Sequence, residues 1–205
     1  MTTKSEQRLA STQRLLDSAL HLFVSQGYRS TNLERIAANA RLSKAAVLFY
    51  FGSKEAVLLE LMKRVQKVVV DEALKAGAAG GPCAADKLVA FLHHQARLGV
   101  THRDEVLLLI LMSLEFGGRD GAVSRLIRRI YRRLYRFVEK VIAEGRAKGE
   151  LRADLDTREL ASIVMANHDG TFLEWYRRSE SLKGAALVRA LREVVLSGVS
   201  KKRRS

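Results

Sequence analysis

An all-α fold is what this chain predicts, and three features of the sequence predict it. Apolar residues recur three and four apart along most of its 205 residues. Runs of alternating β-branched residues are missing, and there is a single proline. Glycines and short polar residues then punctuate the pattern at intervals that suit about nine helices.

The elements follow in order. Leu9, Leu15, Leu16, Ala19, Leu22 and Phe23 share one face of a first helix over 5–26, and Gly27 supplies its stop. Thr31 opens a second helix, with Glu34 three residues on completing a capping box, and Leu33, Ile36 and Ala37 turn inward. Residues 39–42 make a turn. Ser43 caps a third helix running to about Tyr50, and Ser53 caps a fourth that carries Val57, Leu58, Leu61, Val65 and Val68 on its apolar side. The run GAAGGP at 77–82 ends that helix near Ala76. Beyond it the spacing predicts helices at about 84–100, 104–116, 120–148, 156–178 and 183–199. The tail KKRRS at 201–205 is expected to fray.

Charge narrows the partners. Lys and Arg number 36 against 22 Asp and Glu, a net charge of +14, in a chain 47% hydrophobic and 28% charged. That is a globular mix with a strong attraction to polyanions, although a solvated basic surface would give the same totals. Cys83 is alone, so no intrachain disulfide can form. The opening residues lack the apolar run of a signal peptide, and VLLLILM at 106–112 is too short to span a bilayer. A cytoplasmic protein with no membrane contact is expected.

Residues 31–54 carry the chemistry. Two short helices joined by a tight turn can present the outer face of the second to the major groove. Ala37 is small enough for the close crossing of the two helices, and Leu42 can be buried in the turn. Lys44, Ala45 and Ala46 offer a lysine for guanine or phosphate and methyls for thymine methyls. Thr31, Ser43 and Lys54 stand at helix N-termini, where free amides favour phosphate oxygens.

These residues resemble a known family. A-x-x-L-F at 19–23, Gly27-Tyr28, T-x-x-x-I-A from Thr31 and S-K-x-x-V-x-x-Y-F-x-S-K from Ser43 are similar to the N-terminal domain of TetR-type bacterial transcriptional regulators. The resemblance is close over 9–69, with the helix-turn-helix at about 32–51, and generic beyond. It implies a three-helix DNA-binding domain followed, over 83–199, by a helical ligand-binding and dimerisation domain. Two positions depart from it. Arg41 stands where the family usually has glycine, at a strain of about 1 kcal/mol if the backbone is left-handed, and a phosphate contact would offset this. Leu48 stands where a phosphate-binding tyrosine is common, which shifts that role to Phe49 and Tyr50.

What the resemblance implies for function is a homodimeric repressor on a palindromic double-stranded DNA operator, released by a small-molecule effector. An activator or dual regulator of the same fold, or a non-specific nucleoid-type binder, would share most of these features. Dimer contacts are expected on the last two helices, at Leu160, Val164, Phe172 and Trp175 and at Ala186, Ala190, Leu191, Val194 and Val195. Candidate effector contacts are His93, Met112, Glu115, Tyr131, Tyr135, His168, Asp169 and Phe172, polar or aromatic groups on otherwise apolar helices. Arginines at 125, 128, 129, 132, 133 and 136 form a stripe that would suit an anionic effector such as an acyl-CoA. No cofactor, metal site or catalytic group is expected: neighbouring His93 and His94 point to different helix faces, and no nucleophile–base pair stands out.

Overall fold

The structure, a computed structural model, describes residues 3–178 and 180–201, so the expected frayed tail from residue 202 onward lies outside the described residues. Ten α-helices follow one another among them: α1 (Lys4–Gln26), α2 (Leu33–Asn39), α3 (Lys44–Phe51), α4 (Lys54–Val65), α5 (Glu72–Ala78), α6 (Ala84–Thr101), α7 (Arg103–Glu115), α8 (Ala122–Ala147), α9 (Thr157–Arg177) and α10 (Gly184–Val199). A π-helical segment, Gln66–Asp71, joins α4 to α5 without a break. The three together are the predicted fourth helix, and the count of nine helical rods stands. The described residues hold one isolated β-bridge, Leu151 to Ser200.

The chain forms two compact units. The first runs to Lys67 and adds His102–Arg129; the second holds Val68–Thr101 and the chain from Ile130 onward. The sequence division at 69/83 is therefore crossed by α7, which packs on α1 and α4 in the first unit. The reason is in its composition. VLLLILM is apolar all round, and Val106 to Ile110 and Met112 are all buried, as a helix enclosed on several sides must be.

In the first unit Leu15, Ala19, Phe23, Ile36, Val47, Val57 and Leu58 make the core under α1 to α4. Each buried leucine or phenylalanine contributes about 1.5–3 kcal/mol relative to exposure. Arg64 of α4 ties three helices together, donating to Asp17 of α1 at 2.5 Å and to the buried Glu105 of α7 at 2.6 Å. In the second unit α6 packs against α5, α9 and α10, and α9 against α10. The Glu150 carboxylate accepts from the Ala84 amide at 2.7 Å, stabilising the start of α6. Asp156 accepts from the amides of Arg158 and Glu159 and starts α9. Those bonds hold its carboxyl below the usual range, the Glu159 amide contributing most.

Candidate nucleic-acid interface and ligand cavity

The reading head is built by caps and by one left-handed residue. Helix α2 starts at Asn32, whose side chain accepts from the Arg35 amide at 2.9 Å. It ends in a Schellman motif: Leu42 N–H donates to the Ala37 carbonyl at 2.9 Å and Arg41 N–H to the Ala38 carbonyl at 3.0 Å. That motif requires its C′ residue in the left-handed region, and Arg41 has φ 53°. It is the one non-glycine residue with positive φ among the described residues. Arg14 of α1 donates to the carbonyls of Ala40 and Arg41, covering the end of α2. Asn39 donates to Ser18 Oγ at 3.0 Å, and Ser18 in turn donates to the Ile36 carbonyl at 2.8 Å.

Ser43 then caps α3, accepting from the Ala46 amide at 3.1 Å. Val47 is the residue of α3 that is fully buried. Lys44, Ala45, Leu48 and Phe49 are exposed, Phe49 at 76%. A phenylalanine on a short capped helix, three-quarters in water and edge-on to the Tyr50 ring at 5.2 Å, gains nothing from the fold of this unit. Lys44 is paired with Glu34 of α2, whose carboxyl that bond lowers below its ordinary value.

The second unit contains a cavity of about 440 Å³ between α6, α9 and α10. Leu92, Val100, Phe172, Trp175, Val188 and Leu191 supply much of its apolar wall. Gln95 and His168 are the buried polar groups in the lining, and the Arg97 and Arg189 side chains are exposed there.

Known proteins match this chain in both its N-terminal and its C-terminal parts. The sequence profile of bacterial regulatory proteins of the tetR family matches residues 15–61, and that of tetracyclin repressor-like C-terminal domains matches 108–181. The MbdR regulator from Azoarcus sp. CIB, a crystal structure, is 47% identical, with a TM-score of 0.84 over 92% of this chain and 98% of that one. The chain belongs to the TetR family. It is thus a DNA-binding transcriptional regulator, like its relatives, and not an enzyme. The match to the regulator YuxN of Bacillus subtilis is 44% identical over 48 residues, 23% of this chain and 16% of that protein. AibR, solved with isovaleryl coenzyme A and operator DNA, shares the fold at a TM-score of 0.78 and 18% identity, over 90% of this chain and 97% of that one.

Against this TetR frame some expected contacts change. Thr31 is 1% exposed, and its hydroxyl donates to the Gly27 carbonyl at 2.9 Å, so it faces no phosphate. The cap has moved one residue on, to Asn32, because two capping residues stand side by side and the buried one cannot serve the helix. Glu34 is paired with Lys44, outside the capping box the sequence suggested. Lys54 is not a free phosphate clamp either. Its Nζ donates to the carbonyls of Tyr28 at 2.9 Å and Thr31 at 2.8 Å and lies 4.3 Å from the Tyr28 ring centre. Burial holds its pKa below the ordinary lysine value.

The effector candidates divide. His93, His168 and Phe172 meet at the cavity, and Asp169 holds His168 Nδ1 at 2.8 Å from outside the lining. Tyr131 and Tyr135 are half-buried on α8 and do not line it; burial raises the Tyr135 pKa, with Asp169 adding to it. Met112 and Glu115 belong to the first unit, where Met112 is core and Glu115 accepts from Arg29 at 2.5 Å. No member of the arginine stripe lines the cavity: Arg133 pairs with Asp71 at 2.6 Å and Arg128 donates to the Arg119 carbonyl. The sequence reading missed Gln95, whose place in the buried row Leu88, Leu92, Gln95, Leu98 was a visible signal.

Proposed function

We propose that this regulator is a homodimeric repressor that binds a palindromic operator and is released by a small-molecule effector held in the α6–α9–α10 cavity. The exposed, capped α3 supports this best, since its Leu48 and Phe49 are apolar groups left in water on a strongly basic chain. Lys44, Ala45, Ala46 and Phe49 face the major groove, where alanine and phenylalanine suit thymine methyls. Arg41, Ser43 and Tyr50 hold flanking phosphates. Residues 9–69 form the reading head, with α7 packed on it, and the rest of 83–199 supplies ligand binding and pairing.

The paired faces are the small residues that remain exposed on the last two helices. On α9 these are Ser162, Ala166 and Gly170, flanked by the exposed Ile163, and on α10 Ala186, Ala190 and Gly198, with the exposed Val194 in the same row. Each set recurs at about four residues, which lets helix axes approach closely. Leu160, Val164, Phe172, Leu191 and Val195 of the expected dimer stripes are instead buried within the protomer. Pairing two heads about 34–36 Å apart fits successive major-groove faces of a palindrome. The effector acts by favouring a dimer whose heads are wrongly spaced. AibR, with isovaleryl coenzyme A bound, supports keeping acyl thioesters among the candidate effectors. Here the basic groups available to such an effector are Arg97 and Arg189, since the α8 stripe lies elsewhere.

The test is selection of bound fragments from genomic DNA, followed by mass measurement of the complex on the selected site. A two-fold symmetric site carrying two copies of the chain supports the reading. An asymmetric site bound by one copy contradicts it.

A further inference from the structure

Gln95 is the polar group in the cavity that the fold of the described residues leaves unanswered. It is 3% exposed, and neither its Nε2 nor its Oε1 has a hydrogen-bond partner among the described residues. It sits in the buried row of α6 between Leu92 and Leu98, where leucine would pack with no such loss. An amide buried without hydrogen-bond partners destabilises the fold that holds it. The wall around it is otherwise apolar, and Gly99 one turn on lets α9 close in: a Cβ there would stand 3.1 Å from the Phe172 ring. Among the described residues lining the cavity none is acidic, while Arg97 and Arg189 are both basic.

We infer that Gln95 is the specificity-determining residue of the effector site, and that it selects an apolar ligand carrying a neutral carboxamide-like group. The inference rests on the ligand-responsive reading above and names the ligand class. Only a group that donates and accepts side by side satisfies both atoms of the Gln95 amide. A carboxylate accepts only, leaving Oε1 unpaired and facing negative charge. A quaternary cation offers neither bond and meets no carboxylate in the lining. Size agrees, because about 440 Å³ is within the range of sites that enclose small organic molecules.

Trp175, the single tryptophan of the chain, lines this cavity and reports on its occupancy directly. Three probes that share a cyclohexane ring are titrated into the full chain while Trp175 emission is followed: cyclohexanecarboxamide, its planar match cyclohexanecarboxylate, and the bulkier cyclohexyltrimethylammonium. The carboxamide is expected to bind at least about tenfold more tightly than the other two, as two hydrogen bonds to a buried amide imply. In Gln95→Leu that preference falls below about twofold, and the ligand-free protein melts at a higher temperature than wild type. Gln95→Met, unbranched and of similar length, repeats the measurement should leucine not pack. A purely structural glutamine would give the opposite signature, lower stability with selectivity intact, and that result overturns the inference. So does tightest binding of the carboxylate or the cation to wild type, or no Trp175 response to any probe at millimolar concentration. Parallel titrations with the selected operator keep the two proposals apart. Carboxamide binding without DNA release overturns the coupling and leaves the ligand chemistry standing.

Discussion

Replacing Arg41 with glycine should stabilise the protein and weaken its hold on DNA at once. The backbone at Arg41 is left-handed at φ 53° because the Schellman ending of α2 demands it. A side chain there costs about 1–2 kcal/mol. Glycine removes that strain but adds about 0.5–1 kcal/mol of unfolded-state freedom, so the net gain is about 0–1.5 kcal/mol, centred on about 0.75 kcal/mol. For a chain of this length that central value is a rise in Tm of about 1.5–3 °C. Both Arg41 backbone bonds, to Ala38 and from Arg14, survive the change because they need no side chain. If the exposed guanidinium holds a phosphate, the slope of log affinity against log salt also falls by about 1.8, about 0.9 from each subunit of the dimer. Denaturant melts of wild type and R41G, with operator titrations at four salt concentrations, read both quantities. A lower stability for R41G would refute the account of the turn, and an unchanged slope would remove Arg41 from the phosphate contacts.

Other outcomes follow from the same geometry. Lys54→Met leaves the Tyr28 and Thr31 carbonyls without their cation, at a cost of about 2 kcal/mol; operator affinity should drop with the salt slope unchanged, whereas a phosphate contact would lower the slope and spare stability. Ala190→Glu places a charge on the exposed small-residue face of α10, and light scattering should then find a monomer with weakened operator binding. A dimer of unchanged affinity would remove α10 from the interface. His94 is held below its ordinary 6.5 by burial and then by Arg97, so the unfolded chain takes up its proton more readily than the folded one. Its contribution to stability is therefore complete above pH 6.5 and lost as pH falls below it; melts from neutral to acid pH should be shallower in His94→Gln.

Much of this architecture was legible because local signals and tertiary packing agreed. Gly27, at φ 86°, ends α1 where the sequence placed the stop, Gly52, at φ 77°, ends α3 close to the expected Tyr50, and Ser43 and Ser53 start the helices they were expected to start. The failures have physical causes. Thr31 and Asn32 are both good caps, and burial, which no single sequence displays, decided between them. Lys54 has the right charge for phosphate, but the carbonyls of the α1–α2 loop lie within its reach. The π-helical shift at Gln66–Asp71 leaves the apolar pattern of Val65, Val69 and Val70 readable as an ordinary helix. The segment VLLLILM of α7 is apolar all round, so its periodicity names no partner, and Met112 and Glu115 were drawn toward a cavity that they do not line. Gln95 stands out in the sequence as a polar residue in an apolar row, but its lack of partners shows only once the packing around it is known.

The central claim is that the exposed face of α3 reads base sequence. Its most direct test is the ratio of affinities for the selected operator and a scrambled duplex of equal length and composition, measured at one fixed salt concentration. The account predicts a preference of about a thousandfold or more, shrinking when Ala45 and Phe49 are replaced by serine. Equal affinity for the two duplexes would contradict it, leaving a basic chain that holds DNA by charge alone.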